Sequence, residues 1–416
     1  MDPIALPPQP APRSPLRGGY LASNPLLVGG LRAVDVLLAA LPGGRDGAPL
    51  ARPPRRLLLA IGGHLGDAVI ASAVLPLVAA VWPETEVGVL AGSWSRPVLQ
   101  GHPLVRRIHT VDHWKLIRSG TGWRDRLRRY RDTRRRALAE IEEAGYDAAV
   151  DLHPYFPNSI PLLRRAGIPV RAGFTSGGFG PLLTHAAAWT DSGGHMADHH
   201  RALLARLDPR FGRVGTLRYA LPPCPEGADG GLPRGGYVVV HMGAGLPLKE
   251  WPSEKWHALV GALLAEGHTL VFTGSGAEQR EQAERTIGGR AGCRNLCDRL
   301  RWDEFVGAVA GARLVVSVDS VAGHLAAGSA VPAVVLFSGM NRIDQWRPLG
   351  DRVRTLTHPV PCAPCHLSRG CAEMACIRGL EVGEVLEAVR AELRAPLAGG
   401  AGGAAGPPGG AAAPVA

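Results

Sequence analysis

The chain has 416 residues, of which 46% are hydrophobic and 20% charged, and Lys plus Arg outnumber Asp plus Glu by 46 to 36, for a formal net charge of +10. This length excludes a single small module, and two domains is the expectation for a chain of this size. Seven Cys in so long a chain exclude a disulfide-dense secreted scaffold, while the basic balance favours an anionic partner: nucleic acid, a phosphorylated substrate or an acidic membrane surface.

The chain opens on a Pro-rich stretch and closes, from residue 396, on an uncharged Gly/Ala/Pro tail; both read as disordered. Residues 24–41 are apolar but interrupted by Gly29, Gly30, Arg32 and Asp35, short of the ~18 uninterrupted apolar residues of a spanning helix. They read as an amphipathic helix lying on the protein, with a membrane surface as the alternative. No basic leader with a small-residue cleavage site precedes it, so a cytoplasmic protein is the default.

From residue 55 onward, short β-rich runs alternate with helical patterns, the signature of parallel sheets covered on both faces. Strands are expected at 57–61, 86–90, 107–111, 147–152 and 170–174, the last closing a first sheet, with a helix over 67–81. Residues 222–236 are too rich in Pro and Gly for an element and read as a linker. Alternation then restarts with strands at 237–242, 269–273, 313–318 and 332–337. Helices are expected over 253–266, 277–287 and 302–310, from Asp319, and over 382–393, the last crossing back onto the first domain. The expectation is an α/β protein of two Rossmann-like domains facing a central cleft. Its divisions are 1–54, 55–221, 222–236, 237–395 and the tail 396–416.

In such sheets ligands sit beyond the carboxyl ends of the strands, so the turns after the strands carry the information. The first is G-G-H-L-G-D, residues 62–67: its glycines let backbone approach a ligand, and Asp67 reads equally as a helix cap or as a catalytic carboxylate. It is neither a dinucleotide fingerprint nor a P-loop. The turn H-M-G-A-G-L-P-L-K-E-W-P, residues 241–252, exposes backbone N–H groups around Gly243 and offers Lys249 to a phosphate, although that lysine alone reads as solvent-facing. Glu278, just past a strand, is either a ribose acceptor or a first-turn helix residue. Asp319 and Ser320 stand at a strand-to-helix junction whose N–H groups form an anion site fit for a diphosphate, and His324 lies one turn on, as a cleft residue or a structural histidine.

The ordered occurrence of G-H-L-G-D, K-E-W-P, G-x-x-x-E and D-S-x-x-x-H-L-A-A resembles glycosyltransferase family 9, the ADP-heptose:lipopolysaccharide heptosyltransferases, over residues 55–393. The resemblance implies a GT-B fold with the acceptor domain first and the nucleotide-sugar domain second. It implies Asp67 as general base, Lys249 at the diphosphate and Glu278 at the nucleoside. Asp319, Ser320 and His324, with Gly63, His64, Gly66 and Gly243, would line the donor site. Two positions depart from the family pattern: Ile61 replaces a basic residue, and Val321 replaces the glycine of D-S/T-G.

The implied reaction is an inverting transfer of a sugar, heptose from ADP-heptose, to a hydroxyl of an anionic glycolipid or glycan in lipopolysaccharide core biosynthesis. With no Asp-x-Asp pair in the chain, a metal-independent reaction with no required cofactor is the simpler reading. Alternatives are a nucleotide-sugar epimerase on the same fold and a non-enzymatic anion-binding scaffold.

Three clusters remain. Between Lys115 and Arg136 lie ten Lys or Arg against two Asp, read as a solvated basic helix or as a face for a phosphorylated acceptor or anionic lipid, giving peripheral contact with the inner face of the membrane. Nucleic acid is not expected, because no standard binding module is visible. Cys362, Cys365, Cys371 and Cys376 are candidates for a structural Zn²⁺, with free thiols or a disulfide as alternatives. The H-M-A-D-H-H run, residues 195–200, is expected to open a helix with solvent-facing histidines.

Overall fold

The computed structural model describes residues 16–40, 47–118, 120–190, 193–225, 227–228, 230–367 and 371–395. The segments expected to be disordered, the Pro-rich opening and the tail from 396, lie outside the described residues.

A two-strand hairpin, β1 (Leu16–Arg17) and β2 (Tyr20–Leu21), leads into helix α1 (Pro25–Leu38), whose first N–H groups are capped by the Asn24 side chain. The first sheet then follows, interleaved with helices: β3 (Arg56–Ile61), α2 (Leu65–Ser72), α3 (Leu75–Val81), β4 (Glu86–Ala91), α4 (Arg96–Leu99) and β5 (Arg107–Thr110). It continues with α5 (Trp123–Ala144), β6 (Ala148–Asp151), α6 (Ile160–Arg165), β7 (Val170–Phe174), β8 (His185–Ala187) and α7 (Met196–Leu207).

The described residues between 213 and 237 carry neither helix nor strand. Beyond them come β9 (Val238–His241), α8 (Ser253–Ala265), β10 (Leu270–Phe272), α9 (Ala277–Ile287), β11 (Cys293–Asn295), α10 (Trp302–Ala310) and β12 (Leu314–Val318). The last elements are α11 (Val321–Gly328), β13 (Ala333–Leu336), α12 (Ile343–Trp346), β14 (Val353–Leu356), α13 (Ala375–Arg378) and α14 (Val382–Arg394).

Both six-stranded sheets are wholly parallel and share one order. The first runs β5-β4-β3-β6-β7-β8 and the second β11-β10-β9-β12-β13-β14. Each is the doubly wound order 3-2-1-4-5-6, whose direction reverses between its first and fourth strands, where a crevice opens. In the first sheet that point lies between β3 and β6, and in the second between β9 and β12.

Strand side chains alternate faces, and the aliphatic runs feed two layers at once. Leu58 and Ala60 pack on Ala137 and Ile141 of α5, whereas Leu57 and Leu59 face the other way. In the second sheet, Val238 and Val240 pack with Trp256 and Leu259 of α8 and Val385 and Val389 of α14, while Val239 and Val315 face inward. The inward faces of both sheets join one continuous apolar cluster, with α2 packed directly on α11.

Four expectations need correction. The helix over 67–81 is two, α2 and α3, because Pro76 has no N–H for the carbonyl of Ser72. The first sheet is closed by β8, not by 170–174; its His185 is held by Thr184 Oγ1 and by the Ala48 carbonyl, at 2.9 and 3.0 Å. The last helix packs on α8, β12 and β13 of its own half. The helix expected from Asp319 begins at Val321, because the Asp319 N–H still pairs with the β13 residue Leu336.

Candidate active site between the two sheets

The floor of the first half is the turn after β3. Gly63 has φ +90°, a left-handed conformation, and a Cβ there would stand 2.5 Å from Asp67 Oδ2; at Gly62 a Cβ would meet the His153 ring. Only glycine lets this turn close over the carboxylate. Asp67 sits in the first turn of α2 and accepts the His64 backbone N–H at 2.7 Å, so it caps the helix and faces the cleft together. The indole N–H of Trp94 fixes the turn from outside by donating to the Gly63 carbonyl at 2.7 Å.

Burial pushes the Asp67 carboxyl above the usual carboxylate range. The His64 N–H and the charges of Lys249 and Arg118 pull the other way. Lys249 comes from the second half, so the electrostatic environment of Asp67 already spans the cleft. Burial, with the Arg118 charge next, holds His64 down at about 4, and it is neutral at physiological pH.

In the second half, Lys249 Nζ lies 2.6 Å from Asp319 Oδ2, a pair mostly screened from solvent. Ser320 is the N-cap residue of α11, yet its side chain makes no capping bond, and its buried Oγ has no hydrogen-bond partner among the described residues. The first N–H groups of α11 are therefore left for something else.

His324, one turn on, is buried and held at about 4, chiefly by that burial. The Leu349 N–H donates to the Tyr219 hydroxyl oxygen at 3.1 Å, and the hydroxyl stands 3.0 Å from His324 Nδ1, where it can donate its own proton. Neutral His324 then carries its proton on Nε2. That edge of the ring faces Gly66 of α2: a Cβ on Gly66 would lie 3.6 Å from Cδ2 and 3.8 Å from Nε2. The sequence-expected groups Gly63, His64, Gly66, Asp67, Lys249, Asp319, Ser320 and His324 are thus drawn together where the two switch points meet.

Gly243 and Glu278 are placed differently. The Gln279 amide lies against Gly243 and Gly274 and accepts the Ser275 N–H at 2.9 Å, whereas Glu278 is exposed on the first turn of α9. Glu250, raised by burial and then by the nearby Glu278, stands 3.5 Å from the Ala244 N–H. Sequence reasoning missed Gln279, one residue from the carboxylate it favoured. It also missed Arg118, whose guanidinium crosses from the first half to lie on Gly245, and no local pattern marks that arginine among its basic neighbours.

Beside Asp67 a small pocket of about 10 Å³ is lined by Leu152, His153, Met196 and His200 of the first half and bordered by Trp346 of the second. Burial holds His153 at about 4 and His200 at about 3, so both walls are neutral. Asp151, behind them, is pushed up to about 7 by burial despite accepting the N–H groups of His153 and Ser159 at 3.0 and 2.6 Å.

The expectation of solvent-facing histidines in 195–200 is therefore corrected. His195 is buried and bonds the Arg347 carbonyl at 2.7 Å, His200 is buried, and His199 packs against the Trp189 ring at a tilt. The signal was present: His200, Leu203, Leu204 and Leu207 recur at i, i+3, i+4 and i+7 on one face of α7. The four cysteines of the 362–376 segment are free thiols, and among the described residues no group of three or more ligand-type side chains stands where it could hold a metal ion. No helix among the described residues is long and apolar enough to cross a membrane.

Residues 134–375 match the profile of glycosyltransferase family 9 (heptosyltransferase), more than half of the chain. Lipopolysaccharide heptosyltransferase 1 of Pseudomonas aeruginosa is 28% identical over 332 residues, 74% of this chain and 86% of that protein. Lipopolysaccharide heptosyltransferase 3 of Escherichia coli is 23% identical over 69% of this chain and 83% of its own length. Among solved structures, E. coli ADP-heptose lps heptosyltransferase II superposes with a TM-score of 0.66 at 22% identity, covering 81% of this chain and 98% of that one. E. coli heptosyltransferase WaaC with ADP gives 0.65 at 19% identity, covering 81% and 99%. These likenesses carry the GT-B fold. With the family match they show that the chain belongs to glycosyltransferase family 9 and is a glycosyltransferase.

Proposed function

We propose that the protein is an inverting, metal-independent heptosyltransferase that moves heptose from ADP-heptose to a hydroxyl of an anionic glycolipid or glycan, at the inner face of the membrane during lipopolysaccharide core assembly. Residues 55–221 are then the acceptor side, 222–236 the linker and 237–395 the nucleotide-sugar side. One observation carries the reading. A carboxylate at the start of α2 shares its cleft with a lysine and an uncapped helix N-terminus from the other half, and Gly66 packs against His324 across the gap.

Asp67 takes the proton of the acceptor hydroxyl as its oxygen attacks the anomeric carbon and the bond to the diphosphate breaks on the opposite face. Burial raises the basicity of Asp67 toward the range in which a general base works. Charge grows on the departing diphosphate, where Lys249 Nζ, the N–H groups at the start of α11, Ser320 Oγ and His324 Nε2 are available to meet it. Asp319 holds Lys249 until phosphate oxygens share it. With a lysine and a helix terminus supplying the positive charge, we assign no metal to the chemistry. The donor is assigned by likeness to relatives that are lipopolysaccharide heptosyltransferases, one fold neighbour being a heptosyltransferase with ADP.

Calorimetric titration of ADP-heptose beside GDP-, UDP- and dTDP-sugars, on wild type and Asp67→Asn, tests this. ADP-heptose is expected to bind both proteins alike while turnover falls about 10³-fold in the variant. Preference for another nucleotide removes the donor assignment, turnover surviving in the variant removes the base, and conversion of donor without acceptor marks an epimerase.

A further inference from the structure

Among the described residues, the large hydrophobic side chains that stand open to solvent number eight, and all lie in the first half of the chain. Four are on α1: Leu26 is 85% exposed, Leu37 75%, Val36 67% and Val34 38%. Three more, Trp114, Trp123 (70%) and Leu127, lie on or just before α5; only Leu104 stands elsewhere. The described residues of the second half, with a sheet of the same order, expose none.

α1 is anchored by its other side. Leu31 is buried against Gly178, and Asp35 accepts the Tyr20 hydroxyl at 2.9 Å and the Phe179 N–H at 2.7 Å. Its only acidic side chain is thereby spent inward, and the outward stripe of Leu26, Ala33 and Leu37, at helical spacing, is wholly apolar. A helix whose outward side is apolar as well as its buried one calls for a further apolar phase.

A ladder of rings joins this helix to α5. Phe179, beside Asp35, lies 6.5 Å from Phe156, which lies 6.2 Å from His113, and His113 meets Tyr130 of α5 at 4.6 Å. Lys115 Nζ stands 4.9 Å over the Phe156 ring. On α5, Arg124, Arg128, Arg131 and Arg135 recur at i, i+4, i+7 and i+11, one exposed stripe opposite the buried Ala137 and Ile141. Arg128 pairs with Asp125, but Arg124, Arg131 and Arg135 enter no ion pair among the described residues. Arg124 instead lies over the exposed Trp123 ring. Apolar stripe, amphipathic indoles and unpaired arginines in one contiguous region combine the three components of interfacial lipid binding.

We propose that α1 together with the 114–136 segment is a docking surface for an anionic phospholipid bilayer, with α1 lying in the interface and the α5 arginines on the head groups. A second copy of the chain explains the apolar stripe but not the unpaired arginines, which repel their own kind. Nucleic acid explains the arginines but not the stripe. The inference deepens the glycolipid-acceptor reading by stating how the acceptor side meets the surface that holds such an acceptor, and its test needs no donor.

Full-length protein is sedimented with phosphatidylethanolamine/phosphatidylglycerol vesicles and with phosphatidylcholine vesicles. Binding to the anionic vesicles alone is expected, weakening as salt rises. Leu26→Glu/Leu37→Glu is expected to weaken it at least tenfold, and Arg131→Glu/Arg135→Glu roughly twentyfold. Melting temperatures should not move, since all four side chains are exposed. Equal binding to neutral vesicles, no binding at all, or indifference to both double variants overturns the proposal. So does a wild-type dimer that Leu26→Glu/Leu37→Glu splits in light scattering without any vesicle binding, which makes the stripe a contact between copies. Vesicle binding that persists while every donor fails removes the enzymatic reading alone; turnover on a soluble acceptor with vesicle binding lost removes this one alone.

Discussion

The two halves repeat one strand order and one device, a helix starting just past the first strand or the fourth, yet they use it in opposite ways. At α2 the N-terminal N–H of His64 is taken internally by Asp67, so the positive end of the helix is occupied by a carboxylate that belongs to the chain. At α11 the Ser320 side chain leaves the helix start uncapped, and the adjacent lysine is held by Asp319. One half presents a buried carboxylate and the other an uncapped helix start beside a lysine. Identical topology thus fixes where chemistry happens, while the residue at the helix start decides which chemistry it is.

The deepest break in this comparison comes from the anion side. Lys249→Ala is expected to lower turnover by about 10²–10³-fold and also to lower the melting temperature, because it leaves the mostly screened Asp319 carboxylate without its partner. Steady-state kinetics with saturating donor checks this; a loss confined to KM would reduce Lys249 to a ground-state contact.

On the base side the two glycines of the turn should behave differently. Gly63→Ala forces a side chain to φ +90° and into Asp67, which is expected to cost about 1–3 kcal/mol of stability and most of the activity. Gly66→Ala adds a methyl at ordinary contact distance from His324, and stability should change by less than about 0.5 kcal/mol. Equal unfolding midpoints for the two variants would remove the steric account of the turn.

That turn was legible in the sequence because its chemistry is local. G-G-H-L-G-D after an aliphatic run and D-S before a helical run announce strand, tight turn and helix start within a few residues, and both sites follow. The edges were not legible: β8, β11 and β14 are three or four residues long, without clean alternation, and only pairing with a neighbour makes them strands. Arg118, Gln279 and Tyr219 escaped for a related reason. Their roles are set by what folds against them from another element, and no spacing in their own segment records it.

The pH dependence tests the electrostatic side. Because burial holds the Asp67 pKa above the ordinary carboxylate range, the base is lost to protonation as pH falls through that raised value. Turnover per KM should decline tenfold per pH unit on an acid limb lying above ~4, and Lys249→Ala, by removing a charge that lowers the Asp67 pKa, should move the limb to higher pH. A limb that stays put in the variant would mean that the two halves do not sense each other at the site.

The smallest expected effect on turnover comes from the contact that ties Tyr219 to the second half. Tyr219→Phe leaves the Leu349 N–H and His324 Nδ1 without their shared hydroxyl, in a buried place where an unpaired group costs about 1–3 kcal/mol. Turnover should fall only a few-fold, because the ring keeps its position between Tyr219 and Gly66. The tautomer, however, loses the bond that fixes it. In wild type, ¹⁵N NMR of His324 should show the proton on Nε2, and in Tyr219→Phe a mixture of the two neutral forms. If the variant keeps the wild-type tautomer, then something other than Tyr219 sets the donor edge of His324, and the cleft side of α11 is organised from within the second half alone.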